Sequence, residues 1–594
     1  MNDMVDIKLD VPPAKLSELS FAAATVAAID QWASDLPLVN TAETAAQLHK
    51  ATAELADLEA LPAAKFELLE TLRPLVHYIC ARLDRAALAK GAQVSTMLAQ
   101  GLLQNLTQGY KSALYVAVDN LAPADTSVVD KPSRDVLPKI IHRLISDLSR
   151  VELRALQFYL ALPEQFWSNF NGVYQIAEQL QLTQYRLVDD ENYSRRDLSV
   201  QEACLRALLM ASSKPNQLLQ PDLANVFNAL ELWAQQAVLD PRLTDAFLII
   251  DFAGNHGPQY ASLAKDLVDP RGLRTEVLAY ELEAYLNDVS CSLPIPDTLR
   301  TELLQHLASA WSLVKPRAFR RLHTATDVRI CVGLSASHYF LSGGVEFAEQ
   351  LSNADAPLRR EINPFLDVDF EPSRFEHDDD PWNHAHDLKT RIPENPNILA
   401  PERILMLAAR SNETKRHYEH FDTRAIDTSP GGYQIRWYDP IPSNAKVGEL
   451  VALREDADAR WRVAVVRWIR QTLDHASMGV ELLGPKAIPV AIRAIQKVGG
   501  PTDYARALLL PRMDAIGQPA TLITPRVPFA ARQKVHIQRQ GIQTTGQLLD
   551  YRLKTQIFNQ FTFRMLDGYL ENTGTGSTID SLSAMTREDT TQGP

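Results

Sequence analysis

The sequence predicts an α+β multidomain protein, with an all-α helical bundle or solenoid in the N-terminal half and an antiparallel β-barrel in the C-terminal half. The chain has 594 residues, which is more than a single hydrophobic core accommodates. Up to about residue 310, apolar residues recur at intervals of three and four. From about Val314 they recur at every second position in short runs. The first spacing is typical of amphipathic helices and the second of strands.

The composition indicates an ordinary globular protein, with 46% apolar and 22% charged residues. The chain lacks a stretch of eighteen apolar residues and its first residues lack the pattern of a signal peptide, so we expect a cytoplasmic protein without membrane insertion. The four cysteines are far apart and are expected to be buried thiols. A net charge of −13 argues against a general nucleic-acid binder.

The predicted helical scaffold covers residues 1–310. In the stretch from Ile141 to Tyr159 the apolar positions form one stripe, which requires a partner helix. A similar stripe from Phe66 to Leu83 contains Pro74, which is expected to kink or divide that helix. Residues 166–211 weakly resemble one tetratricopeptide-type hairpin, but no sustained period follows. An irregular bundle or solenoid is the preferred interpretation.

The predicted β-barrel covers residues 311–500 and contains an insertion at about 345–420. Short apolar runs separated by turn residues indicate its strands. A helix is expected at 401–417, within the insertion. A second β-rich region is expected at 501–571, either as another barrel or as an extension of the first, and a disordered tail at 572–594.

Two arginines stand directly before the first predicted strand of the barrel. Arg317 and Arg321 form an R-x-x-x-R run. A guanidinium donates two parallel hydrogen bonds to the O6 and N7 atoms of guanine, stacks on a base, or binds a phosphate. Two such side chains four residues apart suit an anionic ligand that contains guanine. The same spacing at Arg150 and Arg154 lies within a helical pattern, so the run alone is weak evidence.

A second motif, D-x-S-x-x-G, opens a later apolar stretch. It consists of Asp427 and Ser429, followed by Gly431 and Gly432. The carboxylate and the hydroxyl suit the amino and imino edge of a base, and the glycines permit close backbone approach or a positive φ. Alone, the motif is also an ordinary turn.

Taken in order, these motifs and the strands that follow them resemble the PilZ domains, which bind the bacterial second messenger cyclic di-GMP. The matching stretches are the two motifs, Val447–Val451, the strand from Trp461 to Trp468, and Met478–Leu483. The resemblance implies a six-stranded barrel. It also implies that Arg317 and Arg321 wrap cyclic di-GMP while Asp427, Ser429 and Gly432 hold it at the barrel surface.

The sequence departs from the family pattern in the distance between the two motifs. Arg321 and Asp427 are 106 positions apart, whereas the family usually separates them by a few tens of residues. The insertion must therefore loop out, which closure entropy permits because it rises only logarithmically with length. A degenerate barrel that binds no nucleotide and serves only protein contacts is the alternative.

Two further stretches have candidate chemistry. Residues 376–387 contain His and Asp side chains, which we interpret as a solvated acidic loop rather than a metal site. The loop is also a candidate competitor of the ligand for the arginines. Residues 504–567 have nine Arg and Lys against three Asp, and include Phe558, Phe561 and Phe563. Binding of single-stranded nucleic acid there is a further alternative, although a barrel core is the preferred role for the phenylalanines.

No Walker A loop, dinucleotide fingerprint or nucleophile elbow occurs in the sequence, and we expect a binding protein rather than an enzyme. The resulting hypothesis is a cytoplasmic cyclic di-GMP receptor or adaptor that uses no metal or other cofactor. Its helical region would dock an unknown effector protein, and the output by family analogy would be motility, pili, secretion or biofilm.

Overall fold

A computed structural model describes most of the chain, and its contacts divide the chain near residue 317 into two compact units. The described residues are 9–90, 93–119, 131–243, 245–312, 322–352, 418–438, 441–455, 460–484, 486–495, 502–512, 519–539 and 542–566. Several predictions fall outside these ranges, namely those on Arg317, Arg321, the helix at 401–417, the loop at 376–387 and the tail at 572–594.

The first unit is built from helices, as the periodicity predicted. Within its described residues the helices are α1 (Val26–Ser34), α2 (Thr41–Asp57), α3 (Pro62–Lys90), α4 (Gln93–Asp119), α5 (Lys131–Gln157), α6 (Phe166–Gln179), α7 (Val200–Ser212), α8 (Gln220–Trp233), α9 (Glu276–Leu286) and α10 (Thr301–Trp311). The predicted stripe from Ile141 to Tyr159 is buried on α5 as far as Ala155, whereas Tyr159 lies beyond the end of that helix. Pro74 lies inside α3, which continues through it as one helix. The N-terminus of α7 has a reciprocal capping box between Ser199 and Glu202.

The helical unit also contains short strands that the sequence did not predict. They are β1 (Arg186–Val188), β2 (Asp197–Ser199), β3 (Val238–Asp240), β4 (Leu248–Asp251), β5 (Gln259–Tyr260) and β6 (Pro270–Arg274). The first two form a hairpin, and the other four form a sheet in the order β3-β6-β4-β5. Two to five residues are too few for an alternating pattern to stand out from the sequence around it.

A buried ionic network links α3, α5 and the β1–β2 hairpin. Nε of Arg73 lies 2.9 Å from a carboxylate oxygen of Asp147, and its Nη1 lies 2.7 Å from Asp189. Burial alone would raise the pKa of Asp147, but Arg73 and His77 lower it well below its ordinary range. Removing one partner of such a pair leaves a buried charge uncompensated. The network therefore fixes the hairpin against the two helices.

The second unit begins with a closed six-stranded barrel, which confirms the predicted antiparallel barrel. Its elements in chain order are β7 (Leu322–Val332), α11 (Leu334–Leu341), α12 (Phe347–Ser352), β8 (Phe421–Ser429), β9 (Gly432–Trp437), β10 (Leu450–Arg454), β11 (Arg462–Gln471) and β12 (Ala476–Gly484). The strand order around the barrel is β10-β11-β12-β9-β8-β7. Val328, Ile330, Ile435 and Trp437 are buried. β7 and β8 pair directly although the insertion separates them in the sequence.

The final region is a second closed barrel and not an extension of the first. It comprises β13 (Ile488–Ala494), β14 (Ala505–Leu510), β15 (Thr521–Pro525), β16 (Lys534–Arg539), β17 (Ile542–Lys554) and β18 (Phe558–Met565), in the order β13-β14-β15-β18-β17-β16. Its first strand precedes residue 501, where the sequence analysis began this region, because β13 pairs with β14. Phe558 and Phe561 are fully buried and Phe563 packs against the core, as expected for core residues.

The two barrels share an apolar cluster. Cys331 and Leu450 of the first barrel pack in one cluster with Leu508, Leu510 and Phe558 of the second. Hydrophobic burial therefore joins the barrels within one compact unit. None of the helices in the described part of the chain combines the length and the apolar character that a membrane crossing requires.

Candidate functional site

The D-x-S-x-x-G motif forms the turn of the β8–β9 hairpin. Asp427 and Ser429 end β8, and Gly432 begins β9 directly opposite Ser429. The Ser429 hydroxyl donates a hydrogen bond of 3.4 Å to the carbonyl oxygen of Gly432. From the sequence, the motif was expected at the entrance of a strand, and β8 was not predicted. This strand is hard to recognise because Asp422 and Arg424 interrupt its apolar residues.

The strand register gathers three polar side chains in one row. Asp427 lies opposite His323 of β7 on one side and opposite Gln434 of β9 on the other. Residues directly opposite each other share one face of a sheet. β-Bulges interrupt both ladders beside Asp427, after His323 in the first and after Ala425 in the second. Bulges re-aim side chains and are enriched next to functional sites.

The two glycines of the motif differ in the space around the position that a Cβ atom would occupy. A Cβ atom on Gly432 would lie 2.0 Å from the carbonyl oxygen of Val480 in β12, whereas a Cβ atom on Gly431 would meet no atom within 4 Å. Neither residue adopts the positive φ that was one of the expectations. Gly432 therefore permits close strand packing, and Gly431 leaves open space at the turn.

An aromatic ring extends the row that contains Asp427. Gln434 lies opposite Gly479 of β12, and the Trp468 indole lies so close to Gly479 that a Cβ atom there would be 1.9 Å from its Nε1. Trp468 is partly exposed. In the sequence, this tryptophan was noted only as the end of the stretch from Trp461 to Trp468 that resembles the PilZ family. Its position at the end of a V-V-x-W run, from Val465 to Trp468, is the signal that would have identified it.

A partly exposed polar trio stabilises the strand that follows the hairpin. The Tyr433 hydroxyl donates a hydrogen bond of 2.6 Å to Glu455 Oε1, and Arg462 Nη2 donates one of 2.5 Å to the same oxygen. The Arg462 guanidinium also lies over the Tyr433 ring, 5.1 Å from its centroid. Hydrogen bonds from Tyr433 and Arg462 lower the pKa of Glu455. The trio ties β9 to β10 and β11.

The pairing of β7 with β8 places the start of β7 beside the D-x-S-x-x-G hairpin. Leu322 lies opposite Thr428, and His323 lies opposite Asp427. Arg317 and Arg321 themselves are outside the described residues, but Arg321 is covalently joined to Leu322. The chain therefore enters β7 beside Asp427 and Ser429. Among the described residues there is no group of three or more His, Cys, Asp or Glu side chains that could hold a metal ion.

Comparison with known proteins covers nearly the whole chain. Residues 27–242 match the family model of the N-terminal domain of the cyclic-di-GMP receptor FimW. Residues 247–489 match its middle PilZ domain, and residues 490–566 its C-terminal β-barrel domain. The cyclic-di-GMP receptor FimW of Pseudomonas aeruginosa is 31% identical over 582 residues, which are 95% of this chain and 94% of the relative.

No solved structure matches the chain. The match to the middle PilZ domain confirms the resemblance that the sequence motifs indicated. The family consists of receptors, which confirms the prediction of a binding protein rather than an enzyme. The chain belongs to the family of the cyclic-di-GMP receptor FimW.

Proposed function

We propose that this chain is a cyclic di-GMP receptor that binds the messenger on the outer face of its first barrel. The observation that carries the proposal is the pairing of His323 with Asp427, because it brings the start of β7, which directly follows Arg321 in the sequence, to the D-x-S-x-x-G hairpin. The FimW relative is named as a cyclic-di-GMP receptor, which supports the same ligand here.

Each residue of the site has a chemical role in this proposal. Arg317 and Arg321 bind the guanine O6 and N7 edge or the phosphates. Asp427 accepts hydrogen bonds from the imino and amino groups of a guanine, and Ser429 contributes a hydroxyl next to it. Gly431 leaves the ligand open access to the backbone at the turn, and Gly432 lets the hairpin pack closely on β12, which holds the turn in place. Together these groups match an anionic ligand with two guanine bases.

Trp468 extends the proposed site by one aromatic surface. Its ring lies over Gly479, which is opposite Gln434, and Gln434 is opposite Asp427. A guanine held by Asp427 is therefore two strands away from an exposed π-face. Stacking of a base on such a ring contributes about 1–3 kcal/mol.

The helical unit is the proposed docking surface for an effector protein, since large helical surfaces commonly serve protein contacts. If cyclic di-GMP binds one arrangement of the receptor more tightly than another, its binding shifts the population towards that arrangement and so transmits the signal. We assign the output to motility, pili, secretion or biofilm, and the location to the cytoplasm. Four free cysteines, three of them buried, fit a reducing compartment.

Two alternatives make different predictions. A degenerate barrel would bind no nucleotide and would act only as a protein contact. A binder of single-stranded nucleic acid would need exposed aromatic rings in residues 504–567, yet Phe558 and Phe561 are fully buried there. The burial of these rings favours the receptor over the nucleic-acid alternative.

Isothermal titration of the purified chain with cyclic di-GMP, and with GTP as the control, tests the proposal. We expect saturable and selective binding with a Kd in the micromolar range or tighter, about −8 kcal/mol or better. Heat signals that are absent or equal for the two nucleotides would leave the degenerate barrel as the function of this domain.

A further inference from the structure

The second barrel is strongly basic, although the whole chain has a net charge of −13. Its described residues, from Lys486 to Leu566, include eleven Arg and Lys but only two acids, Asp503 and Asp550. Asp550 is already paired with Arg532 at 3.2 Å. An excess of one charge on a small domain attracts a partner of the opposite charge.

Part of this charge lies on one outer surface, which we call the basic face and define as Arg493, Lys534, His536 and Arg564. Arg493 is opposite His536, and Lys534 is two residues from His536 on the same strand. Gln547 joins Lys534 to Arg564, since it lies opposite both. Along β16 and β17, the residues that alternate with these positions are buried in the barrel core. The four side chains therefore point outward from neighbouring strands.

Acids in the described part of the chain do not neutralise the two arginines and the lysine of the basic face. Across the described part of the chain, no carboxylate forms an ion pair with Arg493, Lys534 or Arg564. Their guanidinium contacts are neutral: Arg564 donates to Gln547 at 2.7 Å and Arg493 to Gln543 at 3.2 Å. A surface with three uncompensated cations, on β13, β16 and β18, is complementary to a run of carboxylates.

The same chain contains such a run. Between Glu361 and Asp387 the sequence has nine Asp and Glu against one Arg, Arg374. This stretch, which we call the acidic segment, belongs to residues 353–417, which are outside the described residues.

Both ends of this long stretch are attached to the second barrel through one side chain. Arg506 of β14 is buried, and its guanidinium lies 4.8 Å from the ring centroid of Phe347, just before residue 353. Its Nη2 also donates a hydrogen bond of 2.8 Å to the hydroxyl of Tyr418, the residue directly after 417. The described residues on both sides of this stretch are thus anchored at this barrel.

The tether is long enough to reach the basic face. Arg506 is opposite Ala491, and Ala491 is opposite Gln538, so two strand spacings of about 5 Å each separate Arg506 from β16. Lys534 lies four residues farther along that strand, about 13 Å. The nine residues from Ser352 to Glu361 span up to about 30 Å when extended. A tether of this length gives a high local concentration of carboxylates at the basic face.

We propose that the basic face of the second barrel is the docking surface for the acidic segment of the same chain. Charge complementarity and the two anchored ends carry this assignment, which is independent of the nucleotide site. A nucleic acid is a less suitable occupant because Tyr504, an aromatic side chain bonded into this surface, has its ring covered by Arg493 and its hydroxyl bonded to Gln543.

Zero-length carbodiimide cross-linking of the full chain, read by peptide mass spectrometry, tests the contact. We expect Lys534 to form amide links with carboxylates of residues 361–387 at low salt, at least fivefold more than Lys486, an exposed lysine before β13. The double variant Arg493→Gln, Arg564→Gln keeps Lys534 and should lose most of these links. Equal linking of both lysines, or links only between isotopically distinct chains, would overturn the proposal.

A second measurement uses a dT20 oligonucleotide as a competing polyanion. A full-length variant with Asp378, Asp379 and Asp380 changed to Asn, and Glu371 and Glu376 to Gln, should bind dT20 at least fivefold more tightly than the wild type at low salt. The control changes Asp190, Asp288 and Asp297, exposed acids of the helical unit, to Asn. Equal affinity in wild type and acidic-segment variant, or the same gain in the control, would show that the segment does not occupy the face.

Discussion

The carbonyl oxygen of Val480 lies 2.0 Å from the position that a Cβ atom on Gly432 would occupy. This oxygen belongs to β12, and the two strands are paired through Tyr433 opposite Val480. A backbone atom within a ladder cannot withdraw as the end of a flexible side chain can. The second glycine of the D-x-S-x-x-G motif is therefore required by the barrel itself, whatever it contributes to a ligand.

We expect Gly432→Ala to separate the hairpin from β12, to lower the free energy of unfolding by about 1–3 kcal/mol, and to weaken cyclic di-GMP binding. Gly431→Ala is the matched control because open space surrounds its Cβ position. Urea unfolding and nucleotide titration of both variants check this. Wild-type stability in Gly432→Ala would contradict the close approach.

Arg317→Ala and Arg321→Ala should each weaken cyclic di-GMP binding without changing the melting temperature. A bidentate contact contributes about 1–3 kcal/mol, so its loss corresponds to roughly a 5- to 150-fold rise in Kd. Arg329→Ala is the control, because this exposed arginine of β7 pairs with Asp422 at 3.1 Å. Titration calorimetry measures all three. Unchanged affinity in both test variants would remove the arginine run from the site.

Trp468→Ala should raise the Kd for cyclic di-GMP about tenfold, as expected for the loss of one base stack. Trp468→Phe keeps an aromatic face and should recover most of the affinity. Gly479→Ala should act like the alanine variant, since a Cβ atom there would displace the indole. The change in tryptophan fluorescence on ligand addition gives a second readout. Equal affinities in Trp468→Ala and wild type would exclude stacking at this position.

Because of Glu449, the stability of the first barrel should decrease as the pH rises from about 4.5 to about 8. Burial raises the pKa of this carboxyl from 4.5 to about 8, although Oε1 accepts a hydrogen bond of 3.0 Å from the amide of Leu450. In this pH range the folded state holds a proton that the unfolded state has released, so rising pH favours unfolding. The full cost, at most on the order of 5 kcal/mol, applies above pH 8.

Glu449→Gln should therefore flatten the dependence of the melting temperature on pH and stabilise the protein at pH 8 to 9. Glu481→Gln is the matched control because Glu481 is half-exposed and pairs with Arg467 at 2.7 Å. Differential scanning calorimetry from pH 5 to 9 follows both variants. A pH profile of Glu449→Gln that parallels the wild type would show that Glu449 ionises freely in the folded barrel.

Much of the architecture was predictable because it follows from local periodicity. The stripe from Ile141 to Tyr159 identified α5, and short apolar runs in the second half indicated strands of the first barrel. β8 was missed because charged residues alternate with its small apolar ones, so its inner face is Thr423 and Ala425 rather than large side chains. The strands of the helical unit were missed because two to five residues are too few for an alternating pattern to stand out.

The candidate site was predictable in its residue types but not in its arrangement. The motif indicated Asp427 and Ser429, whereas His323, Gln434 and Trp468 became neighbours of these residues only through strand register. Register depends on hydrogen bonds between backbone groups, which every residue has, and a shift by one residue reverses every side chain. Nothing in the local sequence around His323 specifies that it lies opposite Asp427.

The sequence by itself determined a helical half, a barrel-rich half and the side chains suited to a guanine nucleotide, because periodicity and functional groups are local properties. Only the tertiary structure decided that the distant strands β7 and β8 pair, that the last region closes as its own barrel, and that Arg506 anchors both ends of the insertion. The physical reason is that closing a long loop costs little more than closing a short one. Sequence distance therefore places almost no limit on which residues meet.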